Sequence, residues 1–517
     1  MRTCRSVSAL LVAALLWAVP ASAAQWLRAE SPHFRVLARN NKSILQDRVQ
    51  DLERLHSVML LTLGVSESQA PPRPPFEIAM KDDEDFIGDI YPHLSDRAAG
   101  VFSSSVDGAR AFAFVRSVRG SRDGADKVLA HEYAHRVMAQ YARIRYPAWY
   151  VEGFATYFGA TRIDREGVEV GAADAGRLWV LKERPWLEPA QLLKPGFEST
   201  GQKDIDDSRF DAFYAQSWLL THYLLSDSGR TQRFNDYFRR IAAGEDALAA
   251  FEPATGLALN RLNDELRRHS AELFAARIPA SALPAVAVQV SELPAEQAES
   301  ELDAMIIATG PQAAHGQAVL QRLQARVDKA GGEKAPEAMR WALAYAEIRH
   351  GDADRALLIL APWARQEEAP FEANRLLGLA WFAEASRSKG AEADEADAQA
   401  RAFLMRAYKQ RRNDAPTLYW LARLLYVKGS GTSLSNAAEA ASALEPGNGE
   451  YAQLAVHVHL QAGHRDKAQR PLQALANNPH GGERTARARA ALIALQSNQS
   501  ATEVLEVFKG SNKPTPP

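Results

Sequence analysis

The sequence contains a single cysteine, Cys4, close to its N-terminus. The rest of the chain therefore has no thiols for disulfides or for thiolate metal ligands, so any zinc site must be built from histidine and carboxylate groups. Cys4 also precedes the apolar stretch of the N-terminus, whereas the cysteine of a lipoprotein follows such a stretch. We therefore expect no lipid anchor.

Long apolar runs are missing as well. The apolar stretch 9–19 is only about half of the ~20 residues that a membrane-spanning helix needs, and no later segment comes closer. Arg2 and Arg5 precede this stretch and small residues follow it at 21–23, which is typical of a cleavable signal peptide over residues 1–23. We expect a periplasmic or secreted protein without a membrane span.

The chain also has no excess of one charge. Its 61 basic and 63 acidic residues give a net charge of −2, and such a balance predicts no binding to nucleic acid. Because 517 residues exceed what one hydrophobic core supports, we expect more than one domain.

A change of pattern near residue 280 divides the chain. Residues 26–279 have β-like segments, including 100–104 and 111–115, followed by helical ones, which predicts an α+β domain. The stretch 280–297 is rich in Ala, Pro and Val and is predicted to be a linker between two independently folding parts. Residues 298–510 are predicted to be an all-α helical domain, and 511–517 a disordered tail.

The helical part contains a repeat. Ala422 and Ala455 are 33 residues apart, Gly429 and Gly463 are 34 apart, and Pro446 and Pro479 are 33 apart. This is the period of tetratricopeptide (TPR) repeats, in which each unit is a helix, a turn and a helix. The irregular segment 386–397 leaves a non-repetitive helical domain as an alternative. In either case we expect this part to bind a protein partner or substrate.

The stretch His131-Glu132-Tyr133-Ala134-His135 carries the chemistry. Residues four apart lie on one face of a helix, so the two imidazoles can hold one metal ion. Glu132 points about 100° away around the helix, beside the ion, where its carboxylate can take a proton from water. The helix itself is predicted independently, with Asp123 as its N-cap.

The next predicted helix supplies a third ligand. It begins after Pro147 and carries Glu152 about one turn in, close enough in sequence to fold back against the first helix. A catalytic zinc requires three protein ligands and one open position. We therefore predict a Zn²⁺ site formed by His131, His135 and Glu152.

These two motifs, with the glutamate in Trp-x-x-Glu-Gly-Phe-Ala-x-Tyr, resemble the gluzincin metallopeptidases. The resemblance is strongest to the peptidase MA-like group, which is often attached to TPR repeats. It is also carried by the segments 31–34 (Ser-Pro-His-Phe) and 214–218 (Tyr-Ala-Gln-Ser-Trp). It implies zinc held by His131, His135 and Glu152, with Glu132 as the general base.

The resemblance also implies a tyrosine that donates to the tetrahedral oxyanion. Tyr214 stands in the matching region, and Tyr223 is the alternative. The Gly-x-Met-Glu-Asn motif with which related aminopeptidases hold the free amine is absent from the sequence. Aminopeptidase activity is therefore not supported.

The sequence as a whole predicts an α+β gluzincin-like zinc peptidase domain followed by an all-α TPR-like repeat domain. We expect an exported metallopeptidase acting on a protein or peptide substrate, which strand 111–115 would hold by edge pairing. Two alternatives stay open at this stage. One is a non-enzymatic periplasmic assembly factor with a structural zinc domain, and the other is a zinc amidase acting on a cell-wall component.

Overall fold

The computed structural model of the chain describes residues 25–69, 73–92, 99–115, 124–142, 144, 146–194, 203–427, 431–478 and 481–510. The predicted signal peptide 1–23, the predicted cap Asp123 and the predicted tail 511–517 lie outside these ranges. No helix within them is both long and apolar enough to cross a bilayer.

The strands of the described residues form two sheets and lie mainly in the first part of the chain. They are β1 (Gln25–Glu30), β2 (Phe34–Asn40), β3 (Phe76–Lys81), β4 (Gly100–Ser105), β5 (Gly108–Phe114), β6 (Arg162–Asp164), β7 (Gly167–Val170), β8 (Ala276–Pro279) and β9 (Gln289–Glu292).

The helices occur throughout the chain and are the only regular structure after β9 in the described residues, apart from one short 3-10 turn. They are α1 (Lys42–Thr62), α2 (Phe86–Ile90), α3 (Gly124–Tyr141), α4 (Ala148–Gly159), α5 (Ala175–Glu183), α6 (Pro189–Leu193), α7 (Lys203–Leu225), α8 (Ser228–Ala242), α9 (Ala247–Thr255), α10 (Leu262–Ser270), α11 (Ala295–Ile307), α12 (Ala313–Lys329), α13 (Glu337–His350), α14 (Ala353–Ala364), α15 (Phe371–Arg387), α16 (Ala391–Gln410), α17 (Ala415–Val427), α18 (Gly431–Leu444), α19 (Gly449–Gln461), α20 (Arg465–Ala476), α21 (Gly482–Gln496) and α22 (Ala501–Lys509).

The larger sheet has six strands in the order β4-β5-β3-β2-β1-β9. Strands β2 and β3 are parallel and are joined through α1, as a parallel pair requires. The pairs β4–β5, β1–β2 and β1–β9 are antiparallel. The smaller sheet, β6-β7-β8, is antiparallel throughout. The sheet and the large helical part together confirm the predicted combination of a mixed α/β region and a helical region.

Both faces of the six-stranded sheet are buried. Ile78 and Met80 of β3 belong to the hydrophobic core that contains α1, α3 and α4. Ala79 of β3 and Phe112 of β5 point to the opposite face and belong to a second core, shared with helices α11 to α15. This division follows from the period of two along a strand. The helical part is therefore the second layer over the sheet.

The predicted linker 280–297 needs a correction. Its residues Gln289–Glu292 form β9, which pairs with β1 in the register Leu27 to Glu292 and completes the sheet. The Ala, Pro and Val composition gave no helical period, and a four-residue strand gives little other signal. The sheet thus continues past residue 279, and the shared core argues against the independent folding of the two parts.

Beyond β9 the helices pack as consecutive pairs. The pairs α17/α18 and α19/α20 begin with the helices that contain Ala422 and Ala455, and α15/α16 packs in the same way. Of the other landmarks, Gly429 and Pro479 lie outside the described residues. The segment 386–397, predicted to be irregular, lies mostly within the first turns of α16. The TPR-like repeat is therefore more regular than the sequence indicated.

The strand predicted to hold substrate also needs a correction. Residues 111–114 belong to β5, which lies between β3 and β4 and is hydrogen-bonded on both sides. An internal strand has no free backbone groups with which to pair. Among the described strands the edge at this end of the sheet is β4.

The shared core generates a first prediction. Phe112→Ala should lower the free energy of unfolding by about 3–5 kcal/mol, because the lost ring leaves a cavity between sheet and helices. Phe112 is 1% exposed. We expect the full chain to unfold in one thermal transition, at a lower temperature than the wild type, when circular dichroism is recorded.

Leu358→Ala is the matched control, because Leu358 is a large apolar residue of α14 that is 74% exposed. It loses little buried area, so the midpoint of the transition should stay at its wild-type value. Two separate transitions in Phe112→Ala, one at the wild-type midpoint and one at a lower temperature, would contradict the prediction.

Candidate metal and catalytic site

Helix α3 brings two imidazoles together. His131 and His135 lie one turn apart, and their Nε2 atoms are separated by 3.2 Å. Each side chain retains less than a fifth of its exposure, 18% for His131 and 17% for His135. The two rings are nearly perpendicular, at 86°, and meet through their Nε2 atoms.

Helix α4 carries the third candidate ligand, the carboxylate of Glu152. Oε2 of Glu152 lies 3.7 Å from Nε2 of His131 and 3.5 Å from Nε2 of His135. The Glu152 side chain is fully buried. Burial of a carboxylate is very unfavourable unless it meets positive charge or a metal ion. A cation held at this site would therefore stabilise the buried carboxylate.

Gly153 explains how α4 can reach this position. A Cβ at residue 153 would overlap the side chain of Thr221 and the backbone carbonyl of Ser217, both on α7. Only glycine permits this close approach of two helices. Helix α4 therefore packs directly between α3 and α7, which buries Glu152.

The three groups fit a zinc ion. Bonds of about 2.0–2.1 Å in tetrahedral geometry place ligand atoms about 3.3 Å apart, and the observed separations are 3.2, 3.5 and 3.7 Å. Two neutral imidazoles and one carboxylate are also a donor set that zinc accepts, with a fourth position left for solvent. The predicted ligands His131, His135 and Glu152 are thus brought together as the sequence indicated.

Glu132 lies to one side of these groups. It lines a crevice of only about 10 Å³ together with Gly100, Phe102 and Ala113 of the β4–β5 hairpin. Neighbouring residues of a helix point about 100° apart, so its side chain leaves α3 in a different direction from that of His131. Glu132 therefore lies on the side of α3 that faces the β4–β5 hairpin.

Tyr214 on α7 completes the group. Burial raises the pKa of its hydroxyl, and the charges of Glu152 and Glu132 raise this pKa further. The hydroxyl is close enough to Glu152 for the carboxylate to influence it. Tyr214 therefore stays protonated at neutral pH and can act as a donor beside the site.

Arg177 of α5 was not found from the sequence. Its guanidinium carbon lies 5.3 Å from the centre of the Tyr214 ring, and its charge opposes the rise in the pKa of Tyr214. No local motif marks this arginine, so only the fold identifies it. The alternative tyrosine, Tyr223, instead stacks with Arg230 at 4.1 Å.

A second group of possible metal ligands, His33, His56 and Glu67, has a different character. His33 is bonded through Nδ1 to Glu53 (2.6 Å) and through Nε2 to Glu67 (2.8 Å). Its ring stacks on His56 at 3.9 Å, so the in-plane lone pairs of the two rings do not converge. Burial lowers the pKa of His56 to about 3. This group is therefore better described as an ion pair of His33 with two glutamates, stacked on the neutral ring of His56, than as a metal site.

A cavity of about 930 Å³ lies on another side of α3, towards α1 and the β6–β7 hairpin. None of the four candidate site residues or Tyr214 lines it. Its charged lining is internally paired, as between Arg48 and Asp126 (2.9 Å) and between Arg54 and Asp51 (3.1 Å). Its size alone does not make it the reactive site.

No protein-family model matches the chain, and no curated protein matches it significantly. Among solved structures, the chain is similar to a thermophilic TPR protein of Thermus thermophilus. The identity is 19% and the TM-score 0.33, and the match covers 38% of this chain and all of the other.

The geometry predicts about one zinc ion per chain. His131→Ala, His135→Ala and Glu152→Ala should each abolish zinc binding, because each removes one of three ligands. Metal analysis of the purified protein measures this directly. Chelation should also lower the melting temperature of the wild type, since bound metal stabilises the folded state.

His464→Ala is the control, because His464 is exposed at the start of α20, in the helical part. It should retain the wild-type zinc content. Zinc that persists in His131→Ala, or is absent from the wild type purified without chelator, would reject the site.

Proposed function

We propose that the protein is an exported, zinc-dependent hydrolase of the gluzincin type. It cleaves peptide bonds in the periplasm or outside the cell. The observation that carries the proposal is the convergence of His131, His135 and the buried Glu152 at zinc-like spacing, with Glu132 beside them. Bound zinc would polarise the scissile carbonyl and lower the pKa of water.

The protein groups then have distinct roles in this proposal. Glu132 takes a proton from the attacking water and passes it to the leaving amine. The hydroxyl of Tyr214 donates to the oxyanion that develops at the carbonyl carbon. Strand β4, on the sheet edge next to Glu132, offers backbone groups to an extended substrate.

A structural zinc domain in a non-enzymatic assembly factor remains the alternative from another class. Such a domain needs the three ligands but has no use for a base. The presence of Glu132 next to His131 on α3, on the side that faces the β4–β5 hairpin, therefore favours the hydrolase. A cell-wall amidase would use the same chemistry and differs in its substrate.

Glu132→Gln separates these functions. Glutamine cannot accept the proton, so turnover should fall by roughly 10²- to 10⁴-fold, while zinc content and melting temperature stay at wild-type values. A peptide-library digest followed by mass spectrometry measures turnover, and metal analysis is run on the same samples.

The matched control is Glu252→Gln, because Glu252 is an exposed residue of α9. It should cleave like the wild type. A Glu132→Gln protein that keeps its full cellular role would instead identify a scaffold, and release of cell-wall fragments without peptide cleavage would identify an amidase.

Tyr214→Phe tests the oxyanion donor. Loss of one such hydrogen bond typically costs about 2.7–4 kcal/mol of transition-state stabilisation, so kcat should fall by roughly 10²- to 10³-fold. Zinc content should not change, because Tyr214 is not among the ligands. Steady-state kinetics on the best peptide of the library measures the effect.

Tyr223→Phe is the matched control and should retain wild-type kcat, since its ring packs on Arg230 and His269. If kcat of Tyr214→Phe stays within a few-fold of the wild type, Tyr214 has a packing role only.

A further inference from the structure

The β4–β5 hairpin does not end in solvent. Its two-residue turn, Val106 and Asp107, extends into the helical part of the chain, where the Asp107 side chain is 3% exposed. A carboxylate buried to this degree must be matched by donors and positive charge. The surroundings of Asp107 therefore show what holds the tip of the hairpin.

The Asp107 carboxylate is held by three successive helix pairs. It accepts hydrogen bonds from the hydroxyl of Tyr345 on α13 (2.6 Å) and from the indole of Trp420 on α17 (3.2 Å). The guanidinium groups of Arg349 on α13 and Arg375 on α15 each lie 3.9 Å away. Each of these helices is the first of its pair.

The backbone of the turn is recognised as well. Asn448, at the start of α19, donates to the carbonyl of Ser105 (2.7 Å), and the hydroxyl of Tyr451 on α19 donates to the carbonyl of Val106 (3.0 Å). The first helices of four successive pairs thus contact the hairpin tip. This part of the repeat surface is occupied by the protein's own sheet.

The repeats also reach the helix that carries the histidines. Arg136, next to His135 on α3, forms a bidentate ion pair with Glu445 after α18, at 2.6 and 2.7 Å. Bidentate pairs of this kind fix orientation as well as distance. The crevice at Glu132 lies between α3 and the hairpin, so the repeats contact both elements that border it.

We propose that the repeat helices position strand β4 and helix α3, the two elements that flank Glu132, with Asp107 and Glu445 as the positioning residues. The inference rests on the proposed hydrolase function for its kinetic consequence. The contacts themselves concern only the placement of β4 and α3. In this arrangement the repeats hold β4 and α3 in place beside the proposed reactive site. They can also offer a surface to a partner.

Asp107→Asn in the full chain tests the proposal. It keeps the shape of the side chain and removes the charge that Arg349 and Arg375 face. We expect faster backbone hydrogen exchange in β4 and β5, with α4 and α7 unchanged. KM for extended peptides should rise about tenfold, as for the loss of one or two backbone hydrogen bonds, while kcat and zinc content stay near wild type.

Asp303→Asn is the matched control. Asp303 is a buried aspartate of the same helical part, and its carboxylate pairs with Arg322 and Arg326 of α12. Asp303→Asn removes the same charge, yet backbone hydrogen exchange in β4 and the KM for extended peptides should stay at wild-type values. Trp420→Phe removes only the indole donor to Asp107, and it serves as a milder variant if Asp107→Asn does not fold.

The exchange measurement needs no substrate, so it tests the positioning even if the wild type cleaves no peptide. In that case the proposed hydrolase function is rejected, and the hydrogen-exchange rates of β4 and β5 alone decide whether the repeats position these strands. Unchanged exchange at β4 and β5 in both Asp107→Asn and Trp420→Phe would overturn the proposal. So would an equal increase in Asp303→Asn.

Discussion

The burial of the Glu152 carboxylate is the constraint on which the site depends. A charged group without exposure needs compensating charge close by, and His131 and His135 are the groups that face it. Their approach requires α4 to lie against α3 on one side and α7 on the other, which Gly153 permits. One small residue next to a buried acid thus determines how three helices pack.

The second organising feature is a sheet with two apolar faces. Helices α1 and α3 cover one face, and the helical part covers the other through Ala79 and Phe112. The two parts of the chain share a core of the kind normally found inside one domain. The repeats therefore contribute to the architecture of the first part, and their inner surface is partly taken by the β4–β5 hairpin.

Local patterns predicted the local parts of the site. Helix α3 and the pair His131 and His135 follow from the spacing of four, and Glu152 follows from a helix that begins only a few residues later. The motif also gave Glu132 its position beside the ligands. Tyr214 was predicted only from the resemblance to the gluzincins, because 62 residues separate it from Glu152 and no local pattern connects the two.

What the sequence did not predict depends on distant partners. Strand β9 has only four residues, and it is a strand because β1, more than 250 residues earlier, offers an unpaired edge. Asp107 has no role that its local sequence indicates, since nothing near it shows that Tyr345 and Trp420 will bind its carboxylate. Arg177 and the Arg136–Glu445 pair were missed for the same reason.

The late position of β9 has a consequence for how the chain acquires its structure. Until residues 289–292 have emerged, β1 is an open edge, and until α11 to α15 follow, α2 alone among the described helices covers Phe112 on its face of the sheet. Contacts of such large sequence separation form slowly, and exposed edges and apolar faces are where nascent chains associate wrongly. The sheet therefore stays incomplete until α15 has been synthesised, which is about three quarters of the way along the chain.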